Sequence, residues 1–145
     1  MKKIVYTDRE TIIGTNNLII TTWNSRHPER PEFIDVSTAR LDEVLDIVEN
    51  VGNDLDFDDS VLVKAAHLAG GLAWDQCFSG ANKRTAMSVT SLFLRSNGFD
   101  LFRIQKSEQR HLRQLLFDIQ EERGQLNEHT MSEIILYIKR NVRKL

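Results

Sequence analysis

The stretch Gln76-Cys-Phe-Ser-Gly-Ala-Asn-Lys-Arg-Thr-Ala86 is short and polar, and it lies between two of the most apolar segments of the chain. It runs directly into a helical pattern beginning near Asn82. The first turn of a helix carries backbone N–H groups without internal partners, and these point at whatever precedes the helix. Lys83 and Arg84 place positive charge at the same point. Residue types and position together describe a seat for a phosphate or another anion, formed by Ser79, Gly80, Ala81, Asn82, Lys83 and Arg84, with Phe78 as the apolar anchor of the loop. No histidine and no carboxylate occurs in the stretch.

Working outward, the periodicity predicts an all-α chain of about six helices with little or no β structure. Downstream, Ala86, Val89 and Phe93 form the inner face of a helix from about Asn82 to Ser96, and Asn97-Gly98 is a good left-handed stop. Upstream, a helix starting near Asp59 or Ser60 and reaching about Asp75 is apolar on most sides, which places it centrally. A helix from near Ser37 to Asn50 presents Leu41, Val44, Leu45 and Val48 on one face. The first helix opens at Thr7, with Glu10 completing a capping box, and continues to about Trp23. Between these two lies Asn24 to Pro31, which holds both prolines and reads equally well as a flap beside a site or as a plain connection. Phe99 to Ile104 alternates weakly, as a short extended piece does. A fifth helix spans Ser107 to Arg123, with Gly124 as its stop, and a last one opens at a second capping box, Thr130 with Glu133.

The chain has 145 residues, of which 41% are hydrophobic and 28% charged, in keeping with one globular domain over 1–145. A net charge of −2 gives no whole-molecule electrostatic grip on nucleic acid, so direct nucleic-acid binding is not expected. One cysteine, Cys77, excludes an internal disulfide and reads as a small buried apolar residue. No apolar run is long enough to span a membrane, and the start Met-Lys-Lys-Ile lacks a signal-peptide pattern, so the reading is cytoplasmic.

The run from Phe78 to Gly98 resembles the Fic/Doc family, and the Doc (death-on-curing) branch in particular. That branch carries His-x-Phe-x-Asp-Ala-Asn-Lys-Arg followed by a helix ending in Phe-Leu-Arg-x-Asn-Gly. Phe78, Ala81, Asn82, Lys83, Arg84, Thr85, Ala86, Leu92, Phe93, Leu94, Arg95, Asn97 and Gly98 match it. The resemblance is sharpest over about 60–102. It implies a compact helical bundle and ATP or another nucleotide as ligand. It also implies transfer of AMP or of a phosphoryl group to a target hydroxyl, with a translation factor as target and an antitoxin-like protein as partner. By position, Gln76 stands where the family has its histidine base and Gly80 where it has its acid. A glutamine amide cannot accept a proton near neutral pH, and losing a general base costs about 10²- to 10⁴-fold in rate. Glycine offers no carboxylate to a cation, so magnesium would depend on phosphate and water. The resulting expectation is a toxin-family protein that binds a phosphate-bearing ligand but has no intact catalytic residue; the alternative is an active kinase or nucleotidyltransferase with a rearranged site.

The same residues have plainer readings. Asn82 is as well placed to cap its helix as to touch a ligand. Lys83 and Arg84 in a first helical turn are electrostatically unfavourable, which favours a ligand. His67 lies nine residues before Gln76, too far along a helix to replace the base. His27, His111 and His129 read as surface groups. The basic run Lys139 to Lys144 suits a helix end, with an acidic partner as the second reading. The autoinhibitory pattern Ser/Thr-x-x-x-Glu-Gly/Asn of related proteins is absent, so regulation is expected from another chain.

Overall fold

A helix that is apolar on nearly every side has to be wrapped by others, and α3, Phe57–Asp75, is that helix. Its buried residues include Val61, Ala65, Leu68, Ala69, Leu72 and Ala73. Around it pack α2 (Thr38–Asn50), α4 (Asn82–Ser96), α5 (Lys106–Glu121) and α6 (Glu128–Asn141), while α1 (Arg9–Arg26) lies on α4. This computed structural model describes residues 2–101, 106–121 and 128–145. Six helices among these residues make the fold mostly α, as the periodicity predicts. A minimal antiparallel pair, β1 (Phe99–Asp100) with β2 (Arg143–Lys144), sets Phe99 opposite Lys144. Among the described residues no helix is long and apolar enough to cross a membrane.

Two adjacent glycines let the neighbours of α3 approach closely. A Cβ on Gly70 would lie 2.6 Å from Cε of Met131 on α6, and one on Gly71 would lie 3.0 Å from Cγ1 of Val44 on α2. Lys64, fully buried on the same helix, is satisfied by acceptors at the end of α2. Its Nζ donates to the carbonyls of Val48 at 2.8 Å and Glu49 at 3.2 Å, and to Oδ1 of Asn53 at 2.7 Å. A cation at a helix C-terminus complements the backbone dipole and closes carbonyls that the helix leaves open.

Several expected boundaries are corrected. The first cap is Asp8, whose carboxylate accepts from the Thr11 amide at 2.7 Å, not Thr7, and α1 reaches Arg26 rather than Trp23. An aspartate one residue later is the better acceptor for that turn. Likewise Asp56 caps α3 through the Asp59 amide, so the helix starts at Phe57, ahead of the expected Asp59 or Ser60. Thr130 is buried inside α6, which begins at Glu128, so it does not open a capping box. The extended piece narrows to Phe99–Asp100; its expected continuation over 102–105, like the fifth helix's end at Arg123 and stop at Gly124, lies outside the described residues.

Replacing Lys64 by methionine keeps most of the stem and removes the ammonium. The α2 carbonyls then lose their partner, and stability should fall by about 1–3 kcal/mol in urea unfolding at neutral pH. An unchanged unfolding midpoint would show that water replaces the ammonium without loss.

Candidate functional site

Residues 76–81 cross from the end of α3 to the start of α4, and both ends of this loop are left-handed without glycine. Gln76 has φ 46° and Ala81 has φ 59°. Each such residue is strained by about 1–2 kcal/mol relative to right-handed backbone, so other contacts must hold the loop. Asn82 supplies two of them: its Oδ1 accepts from the Phe78 amide at 3.0 Å, and its Nδ2 donates to the Phe78 carbonyl at 2.8 Å. Asn82 is therefore a clamp on the loop and not the cap that sequence reasoning offered. From α1, buried Asn16 donates to the Gly80 carbonyl at 2.9 Å and to the Thr85 hydroxyl at 3.0 Å. Phe78, 5% exposed, anchors the loop in the core as expected. The segment before α2 lies alongside: Val36 bridges Phe78, the Ser37 amide donates to the Cys77 carbonyl at 2.7 Å, and the Ser79 amide donates to the Asp35 carbonyl at 3.3 Å.

Among the described residues no side chain caps α4 at its N-terminal end. The Arg84 guanidinium in this first turn already has a partner. Nη2 of Arg84 lies 2.9 Å from Oε1 and 2.8 Å from Oε2 of Glu32, while its Cζ sits 4.9 Å from the Trp23 ring centroid. Glu32 is itself held by Asn24, which accepts from its amide at 2.8 Å and donates to its carbonyl at 2.9 Å. The Glu32 carboxylate also covers Gly80: a Cβ there would lie 3.3 Å from Oε2. The stretch 24–31 thus leads into a carboxylate that closes over the loop, which no spacing in the sequence signalled. Two elements separated by 52 positions meet only in the fold.

The other candidates are distributed unevenly. Lys83 turns away from Arg84, towards α5, where Nζ approaches Gln120 Oε1 at 3.3 Å and the Phe117 ring centroid at 5.0 Å. Ser79 is exposed, and its hydroxyl faces Asp35 at 3.4 Å. Gln76 is exposed at the end of α3. His67 Nδ1 bonds the Val63 carbonyl at 2.9 Å within α3, and His129 pairs with Glu133 at 3.0 Å. His27 stacks on Trp23 at 3.9 Å between ring centroids. Cys77 is buried, and burial, reinforced by the charge of Asp75, pushes its thiol up to about 12, so it stays protonated. Among the described residues no group of three or more His, Cys, Asp or Glu is placed to hold a metal ion.

The geometry defines a helical protein with a clamped loop, an uncapped helix start and an arginine facing a carboxylate. A profile of the Fic/DOC family matches residues 6–94, well over half of the chain. The chain belongs to the Fic/DOC family. No curated protein and no solved structure matched it.

Beside the loop, Asp75 is pushed up to about 6, first by burial, then by a hydrogen bond with Glu43 and by that residue's charge, against the pull of Arg40. A raised carboxyl stabilises the fold fully below its unfolded value of 3.8 and loses that contribution as pH rises through about 6. Asp75→Asn imitates the protonated form. Its melting temperature relative to the native chain should therefore rise between about pH 5 and about pH 7.5. A difference that stays flat over this range would remove the Asp75–Glu43 coupling from the account.

Proposed function

We propose that this chain is a Doc-like member of its family that binds a phosphate-bearing ligand, of nucleotide class, at the start of α4. It acts by binding, and any group transfer it performs is slow. The observation that carries the reading is the Glu32 carboxylate on Arg84, against the open side of Gly80. A carboxylate is the chain's own anion, and it supports the view that this position accepts negative oxygen atoms. The contact uses one guanidinium nitrogen for both oxygens rather than a two-nitrogen fork, and both side chains are partly exposed. Exposed pairs of this kind are worth about 0.2–1 kcal/mol. A phosphate with more charge and more acceptor oxygens is equipped to displace Glu32.

Arg84, the loop amides and the uncapped first turn of α4 would hold the phosphate, with Asn82 and Asn16 fixing the loop rather than touching the ligand. At position 76 a glutamine cannot take a proton from a target hydroxyl, and at position 80 no carboxylate is available. Binding then outlasts chemistry. An antitoxin-like protein or a translation factor is the partner class the Doc resemblance supplies.

Titration calorimetry tests this directly. Arg84→Ala should abolish binding of ATP and pyrophosphate, and Glu32→Ala should tighten it by about 2- to 5-fold, the value of the exposed pair it removes. Unchanged affinity in both variants would overturn the assignment. With γ- or α-labelled ATP and a cell lysate, the native chain should label no target. An aspartate at position 80 would face Glu32, so recovery of labelling should need Glu32→Ala together with Gln76→His and Gly80→Asp. Robust labelling by the native chain would instead favour an active kinase or nucleotidyltransferase.

A further inference from the structure

Adjacent in sequence, Lys83 and Arg84 look like one cationic pair, but the fold sends them to different places. Lys83 is engaged by Gln120 and Phe117 on α5. Arg84 lines a cavity of about 580 Å³ between α1, α4 and α5, and the second cation of that cavity is Arg113. Its walls include Leu18 and Ile19 from α1 and Met87 and Leu92 from α4. Leu18 and Leu92 are 68% and 45% exposed, so the apolar surface is open to a ligand. A second cavity of about 420 Å³ shares Leu18, Ile19 and Arg84 and adds Trp23, Arg26 and His27. Neither lining contains an acidic side chain among the described residues, although the chain has 21 Asp and Glu. No described residue pairs with Arg113.

A volume of this size, apolar walls and a few convergent charged groups are the ordinary features of a small-molecule site. Resting on the reading of Arg84 as the phosphate holder, we infer that Arg113 is the second anion-holding residue of the site. The ligand is then a small phosphorylated molecule with at least two anionic groups. It lies along the cavity between the two guanidinium groups, with a body of nucleoside size on Leu18, Ile19, Met87 and Leu92. Gly80 brings no charge to the loop side, so neutralising the far group falls to the cation across the cavity. Arg113 makes the site select for extended anions over inorganic phosphate, which one guanidinium suffices to hold.

The test is calorimetry with ATP and with inorganic phosphate on the native chain and on Arg113→Gln, Lys83→Gln and Arg84→Gln. Arg113 is exposed on α5, so its replacement leaves the core intact, and matching melting curves check this. Losing a charge-assisted hydrogen bond should weaken ATP by about 10-fold or more in Arg113→Gln. Phosphate affinity stays unchanged there, Lys83→Gln alters neither ligand, and Arg84→Gln weakens both. Ser91→Trp, which fills the cavity from α4, should weaken ATP and spare phosphate. If ATP binding needs Arg84 yet changes by less than this in Arg113→Gln, or if phosphate weakens equally, the role of Arg113 is refuted and the Arg84 reading stands. A native chain that binds neither ligand overturns the Arg84 reading itself, and this inference with it.

Discussion

The ion pair between Arg84 and Glu32 ties the start of α4 to the segment between α1 and α2, beside the backbone contacts that Asp35, Val36 and Ser37 make with the loop. Arg84 belongs to the first turn of α4, and Glu32 to the segment that leaves α1 and approaches α2. Asn24 fixes the backbone of Glu32, and Trp23 lies against the guanidinium, so the end of α1 is drawn into the same cluster. The clamped loop supplies the opposite wall, and glycine at position 80 leaves the space that the carboxylate fills. A partly exposed pair contributes little to stability. Its importance is geometric: it fixes the direction of one guanidinium and seats a carboxylate over Gly80.

Much of the fold was legible because α3 and α4 carry unambiguous apolar periodicity, and because Asn97-Gly98 marks a stop that the structure keeps. The misplaced caps at Thr7 and Thr130 have one cause. Short-range pattern ranks several hydroxyl and carboxyl side chains as equal, and the choice between neighbours is made by the packing of the helix. Gly70 and Gly71 drew no notice in the sequence, yet Met131 of α6 and Val44 of α2 pack tightly against them.

The site was legible as a stretch of residues and not as an arrangement. Gly80 is approached closely by a side chain from far along the chain, Glu32. Left-handed backbone occurs at Gly98, as its stop requires, but also at Gln76 and Ala81, where no glycine marks it and Asn82 and Asn16 hold the loop. Lys83 and Arg84 could not be told apart by position, because a helix turns adjacent residues by about 100° and so onto different neighbours. Long-range contacts such as Glu32 with Arg84, or Arg113 with the α1–α4 cavity, leave no local pattern.

The most direct measurement is a crystal structure of the native chain grown with millimolar ATP. The account predicts a phosphate oxygen at about 2.7–2.9 Å from the Arg84 guanidinium, with the Glu32 carboxylate displaced from it. Density for the nucleotide elsewhere on the surface, with Glu32 still seated on Arg84, would contradict it.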